Sequence, residues 1–336
     1  MRIVDTFLFS EPHEKEVLLI KLNLGAHYVA EWVLVENEYT HQSEFKGLFA
    51  QDMIDGDPRF DPFKDRLKII SGTHRFPPVD RTQEIDEQGL AADRAQRELA
   101  LRYLLDAHDD DTWVLISDAD EALDVSSEEK LDHLRRKVAE FGGSVVPLPR
   151  TRYWYDIDNL WLDRRATTMV RLGYVRSHEP SLGHYRQEWT MRPIQWPRSV
   201  VVEYSYCYPR ADIERKYRSF AHAVYSPDEI ARSISCNHVP ISAMRSRKPD
   251  LTSHTSWFKK VRLSRRNTPE YVLRNQDHLR TDVVPIDYEA NRREAYPELF
   301  TPSNRSRRRY REMRWAMGRS VRGLLGILLL RTAGLS

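Results

Sequence analysis

Trp113-Val114-Leu115-Ile116 is an unbroken apolar run that meets Ser117 and then Asp118-Ala119-Asp120-Glu121, three carboxylates in four positions. Apolar residues without alternation, bounded by polar ones, read as a strand buried on both faces of a parallel sheet. Sheets of that kind bind ligands beyond the carboxyl ends of their strands, which is where the acids stand. In an extended segment Asp118 and Asp120 point the same way. Two hard oxygen donors on one side suit Mg²⁺ or Mn²⁺, ions that prefer carboxylates and keep positions open for substrate phosphates. A polar strand-to-helix turn with Asp as a cap uses the same residues.

The flanking segments repeat a strand-then-helix rhythm. Strands are expected at 3–9, 28–35, 67–70 and 145–148, and helices at 14–24, 47–53 and 89–107. Ser126-Ser127-Glu128-Glu129 has a serine cap followed by first-turn acids, so a helix should run from there to about Phe141 and stop at Gly142-Gly143. The expected fold class is α/β, with a mostly parallel central sheet and flanking helices. After Pro149 the chain turns rich in Tyr, Trp and Arg. Short strands are expected at 151–155, 167–172 and 200–206, and helices at 213–224 and 227–235.

At 336 residues, with 40% hydrophobic and 30% charged residues, the chain can bury a sizeable core. A net charge of +2 argues against a polyanion binder as a whole, although 305–331 holds nine arginines and a single acid, Glu312. Two cysteines, Cys207 and Cys236, are too few for a disulfide scaffold and fit a reducing compartment. The chain opens directly on a strand and holds no apolar stretch of the ~20 residues that span a bilayer. A cytoplasmic protein, in part peripheral at the inner face of the membrane, is the expectation.

Several spaced motifs resemble glycosyltransferase family 17, which includes the β-1,4-mannosyl-glycoprotein N-acetylglucosaminyltransferases. They are Val4-Asp5-Thr6-Phe7-Leu8-Phe9 with the helix at 14–24, Val35-Glu36-Asn37-Glu38-Tyr39-Thr40, and Asp93-Arg94-Ala95-Gln96-Arg97. Leu115-Ile116-Ser117-Asp118-Ala119-Asp120-Glu121 and Tyr204-Ser205-Tyr206-Cys207-Tyr208, with Lys216 and Ser219-Phe220-Ala221-His222, complete the set. The resemblance covers roughly residues 3–225 and implies a GT-A-type, Rossmann-like fold. It implies a UDP-sugar donor, a Mn²⁺ or Mg²⁺ cofactor and inversion at the anomeric carbon.

Carried over, the resemblance places Asp118 and Asp120 on the metal that bridges the diphosphate, with Glu203 and His222 as further candidate ligands. Glu203 stands where the family has a histidine. Glu36, Asp93 and Arg97 are candidates to contact the nucleotide. Glu36 in a turn cap and Arg97 paired with Asp93 or Glu98 are the structural alternatives. An inverting transfer needs a base for the acceptor hydroxyl. Asp156, behind Tyr153-Trp154-Tyr155, is the first choice and Glu179 the second, with Glu121 supporting the metal loop. The acceptor is an oligosaccharide, glycoprotein or glycolipid hydroxyl.

The implied organisation is a catalytic domain over 1–240, divided at 150 into nucleotide and acceptor halves, then an irregular or helical extension over 241–304. Residues 305–336 form a basic amphipathic segment, with Tyr310, Met313, Met317, Val321, Leu324 and Leu328 at helical spacing. The competing function is a non-enzymatic protein that binds an anionic membrane or polyanion through this segment. A phosphoryl-transfer enzyme is disfavoured because no glycine-rich phosphate loop or Gly-Lys-Ser/Thr is present. No specific nucleic-acid partner is expected.

Overall fold

The computed structural model describes residues 1–77, 85–154, 156–161, 166–187, 200–205, 207–219, 258–265 and 268–280. Two compact units divide the chain, Met1–Pro227 with Lys259–Val284 and Asp228–Phe258 with Pro285–Ser336; the described residues, apart from Phe258, belong to the first. His222 and the basic segment 305–336 lie outside the described residues.

The core of the first unit is an α/β arrangement. Strands β1 (Ile3–Leu8), β2 (Val29–Asn37), β3 (Leu67–Gly72) and β4 (Trp113–Asp118) run parallel, with β1 between β2 and β4 and β3 outside β2. Leu8 stands in register with Val35 on one side and Asp118 on the other, so these strands end at one edge.

The sheet is mixed rather than mostly parallel. Strand β5 (Glu121–Leu123) follows the acidic loop, and β6 (Val145–Trp154) leads through β7 (Asn159–Trp161) to β8 (Ala166–Arg171). Strand β8 lies antiparallel between β4 and β6. The reason is the connection: β7 pairs antiparallel with β6, and β8 then returns down the other side of β6. The expected strands at 145–148 and 151–155 are one strand that changes partner at Pro149. Residues 145–149 pair with β8, and 150–154 pair in parallel with β9 (Val201–Ser205), which also holds β5. Prolines are tolerated where a strand need not donate along its whole length.

Period-two alternation splits each central strand between two apolar faces. Ile3, Phe7, Trp32, Leu34 and Leu115 pack with α1 (Lys15–Gly25) and α5 (Glu128–Phe141). Val4, Leu8, Val33, Val35, Val114 and Ile116 face the other way, towards α4 (Leu101–Ala107), α6 (Leu172–Ser177) and α7 (Leu182–Gln187). Helix α5 starts on a Ser127 side-chain cap and ends on Gly142 at φ 69°, a left-handed turn that glycine takes without strain.

The helix expected over 89–107 is two. A turn at Leu99-Ala100 separates α4 from α3 (Ile85–Glu98), with i→i−3 bonds from Leu99 and Ala100 closing the break. Helix α2 (Ala50–Asp55) is shorter and later than expected. Helix α8 (Arg210–Ser219) begins three residues before the helix expected over 213–224 and covers 213–219 of it, the rest lying outside the described residues, and α9 (Glu270–Arg274) packs Tyr271 against the α1 face of the core. No helix among the described residues is long and apolar enough to cross a membrane.

One charged pair sits inside this core. Asp5 lies between Ile3 and Phe7 on the strand face that meets α1, and the fully buried Lys21 places Nζ 2.8 Å from its carboxylate. Burial pushes the Asp5 carboxyl up and the Lys21 ammonium down, and each partner pulls the other back. Removing one member of a buried pair strands the other charge. Lys21→Met should therefore cost about 3–5 kcal/mol in urea unfolding; a loss below about 1 kcal/mol, the range of exposed pairs, would contradict this account of the core.

Candidate functional site

The β4–β5 loop carries all three acids to the edge where the parallel strands end. Its backbone is tied on both sides, by Ala119 N–H donating to Leu8 O (3.2 Å) and Tyr204 N–H donating to Asp120 O (2.9 Å). From below, Lys21 Nζ donates to Ser117 Oγ (2.7 Å), Glu121 O (2.5 Å) and Asp118 O (3.4 Å), while Ser117 Oγ donates to Asp5 (2.6 Å). The loop rests on the buried pair of the core.

Each acid of the loop is met by a basic side chain. Asp118 accepts from Arg97 on Oδ1 (2.5 Å) and from Arg186 on Oδ2 (2.6 Å). Glu121 is buried and accepts from Arg150, from Arg186 (2.7 and 3.0 Å) and from Thr167 Oγ1 (3.0 Å). Lys216 of α8 lies 3.2 Å from Asp120 and 3.2 Å from Glu14, and donates to the Tyr208 hydroxyl (3.0 Å). Glu203 of β9 lies 2.8 Å from Arg150 and 2.7 Å from Arg152, and also accepts from Ser205 Oγ. Asp118 is the open member, with 39% of its side chain exposed.

These partners push the two aspartates in opposite directions. For Asp118 burial alone would raise the carboxyl, but Arg186 and Arg97 outweigh it and hold it far below the usual range. Burial raises Asp120, and Glu203, Asp118 and Glu14 add to the rise against the opposing Lys216. Glu203 is raised by burial but pulled down to about 2 by Arg150 and Arg152. Asp120 is thus the acid of the loop held closest to its neutral form, by burial first and by the acids around it second.

Among the described residues no group of three or more His, Cys, Asp and Glu side chains converges as a metal cage. A cation that shares its ligands with a substrate diphosphate needs only one or two protein carboxylates. Asp120, pressed by three neighbouring carboxylates, fits that half-site, with Asp118 beside it. Glu203 fits it poorly, since guanidinium groups already lie against its carboxylate and its role is to fasten β6 to β9. His222, the other candidate ligand, is outside the described residues.

The remaining sequence candidates divide. Arg97 lies under Asp118, paired bidentately with Asp93 (2.9 and 3.0 Å) and donating to Ser117 O (2.6 Å). Asp93 and Arg97 thus take the structural alternative, joined to the loop. Glu36 also takes its structural alternative: Oε1 accepts from Phe49 N (2.8 Å) and Oε2 from Ala50 N (3.0 Å), which caps α2. Asp156 is buried just past the end of β6, accepts from Ile157 N (2.7 Å) and faces Arg280 (3.4 Å). Burial drives the Cys207 thiol well up, and Asp156, Asp120 and Glu203 add to that rise. Glu179 is exposed on the link between α6 and α7, and among the described residues it makes no contact with the loop. Tyr153 is buried and stacks on Tyr204 with ring centres 5.3 Å apart, a core contact.

Four residues of the site were not read from the sequence as site residues: Lys21, Arg150, Arg152 and Arg186. A single lysine inside the apolar span 17–24 and a single acid inside the first strand are a readable signal for Lys21 and Asp5, because buried charges need partners. Arg150 and Arg152, two apart on one strand, share a face by period two. Arg186 has no local signal. Glu98 accepts from Ser181 Oγ (2.7 Å), Leu182 N (3.2 Å) and Gly183 N (2.8 Å), docking the start of α7 on α3. A Cβ at Gly183 would come within 2.8 Å of Arg94 Cα, so only glycine allows this approach, and it brings Arg186 to the loop.

Comparison with the profiles of known protein families and with curated proteins gives no match.

The Glu203 shift has a pH signature. A carboxyl that binds its proton less readily when folded contributes stability that is complete above its ordinary value of 4.5 and is lost as pH falls towards about 2. The melting temperature of Glu203→Gln should lie below that of the native protein at pH 6, and the gap should close as pH falls from about 5 to 2. A gap that stays constant over that range would contradict the assignment.

Proposed function

We propose that the chain is a GT-A-type glycosyltransferase that moves a sugar from a UDP-sugar to a hydroxyl of a glycan or glycolipid. The observation that carries this reading is the pair Asp118 and Asp120, held by internal cations at the edge where four parallel strands end, with Asp118 open to solvent. The motif resemblance to family 17 supports the identity of the donor, with GlcNAc as the first sugar to test.

Two further features support it. Arg186 places a guanidinium group at the open acid, and such a fork matches the oxygens of a diphosphate. Phe45 is 69% exposed on the turn that follows β2 and meets Tyr39 edge-on at 5.6 Å, which offers an aromatic face for a base or sugar ring at the same edge.

In this reading Asp120, with Asp118, would hold Mn²⁺ or Mg²⁺, which would supply Lewis-acid neutralisation of the leaving diphosphate. The chain's own residues position the donor: Lys21 and Ser117 fix the loop from below, and Arg97 keeps Asp118 aimed outward. The acceptor oxygen attacks the anomeric carbon from the face opposite the diphosphate, whose bond to that carbon breaks. The hydroxyl proton passes to a carboxylate, and Asp156, just past the end of β6, is the candidate base.

Calorimetric titration tests the reading. UDP and UDP-GlcNAc should bind with Mn²⁺ present, and Asp120→Asn should weaken that binding by roughly 100-fold, about 2.7 kcal/mol. Absence of UDP binding under every metal condition would overturn it.

A further inference from the structure

Arg186 differs from the other guanidinium groups of the site in what its departure would leave behind. Arg97 is immobilised by Asp93, Ser117 O and Asp118, and its side chain is 4% exposed. Arg150 lies between Glu121 and Glu203. Arg186 is held by Asp118, by Glu121 and, at 3.5 Å, by Ile116 O. Without it Asp118 keeps Arg97, and Glu121 keeps Arg150 and Thr167. No buried charge is stranded, so the cost of moving Arg186 is small beside that of moving its neighbours.

Its position favours movement as well. Arg186 comes from the end of a six-residue helix, and it covers the exposed acid of the loop. An anion that approaches the open side of Asp118 meets Arg186 there. A planar fork that now binds a carboxylate bidentately can bind phosphate oxygens in the same way. While it sits on Asp118 Oδ2, and Arg97 sits on Oδ1, both oxygens of this acid are occupied and a cation is repelled by two guanidinium charges.

We infer that Arg186 is an exchange residue: it masks Asp118 in the ligand-free protein and transfers to an incoming diphosphate, which frees Asp118 for a divalent cation. Arg186 is then a ligand-binding residue that orders the site, so that the cation binds well only together with the diphosphate. The inference rests on the proposed function only for the nucleotide that carries the diphosphate.

The test uses inorganic diphosphate and Mn²⁺ separately on the full chain. Arg186→Met should bind Mn²⁺ alone roughly tenfold more tightly than the native protein, and metal-free diphosphate roughly tenfold more weakly, within the usual range of coupling between ligands. A merely structural arginine would weaken both, and that result, or unchanged Mn²⁺ affinity, overturns the exchange. On the native protein, the Arg186 Nε–H resonance should shift on adding diphosphate while that of Arg97 stays in place. An unmoved Arg186 overturns the exchange even where the variant fails to fold. Failure of UDP to bind better than inorganic diphosphate would overturn the choice of nucleotide and leave the exchange standing.

Discussion

The ion pair between Lys21 and Asp5 sets the height and tilt of the acidic loop. A buried ammonium is tolerated only where its donors all find oxygens. Lys21 finds them on β1 through Asp5, on β4 through Ser117, and on the loop through the carbonyls of Asp118 and Glu121. One side chain from α1 therefore joins β1 to the end of β4 and the loop that follows it, regions far apart in sequence. Because the sheet closes over it, the loop cannot shift without breaking a bond inside the core. The acids above it are presented from a rigid floor, the arrangement that binding sites need for their contacts to be reproducible.

Above that floor the charges are balanced, not merely gathered. Asp118 stays ionised because two arginines overcome its desolvation; Asp120, two residues further on, is pushed towards its neutral form by burial and, after it, by the carboxylates around it. Two acids of the same type in one loop thus stand in opposite environments: one is masked by guanidinium groups, and the other is buried among acids with Lys216 beside it. Environments that drive like groups apart mark sites of chemistry more often than sites of structure.

The central strand of this layout could be read from the sequence because it depends on local pattern. The apolar run from Trp113 to Ile116 has no alternation, so it had to be buried on both faces, and the acids after it had to lie at the sheet edge. The Ser127 cap and the Gly142 stop of α5 were legible for the same reason. Strand β6 was legible only as two pieces, 145–148 and 151–155, since Pro149 breaks the local strand signal and only the change of partner from β8 to β9 makes one continuous strand there. The cationic half of the site was less legible still. Acids show themselves as a cluster, whereas Lys21, Arg97, Arg150, Arg186 and Lys216 come from five separate elements and converge only through the fold. Glu36 illustrates the converse: an acid at a strand end that looks like a ligand and serves to cap α2.

A crystal structure of the protein with UDP and Mn²⁺ bound would test the account most directly. The diphosphate should then lie on the exposed side of Asp118 and the ion on Asp120, with the Lys21 contacts unchanged. Nucleotide bound instead at the opposite edge of the sheet, where Trp113, Arg135 and Arg171 line a groove of about 450 Å³, with nothing at the β4–β5 loop, would contradict it.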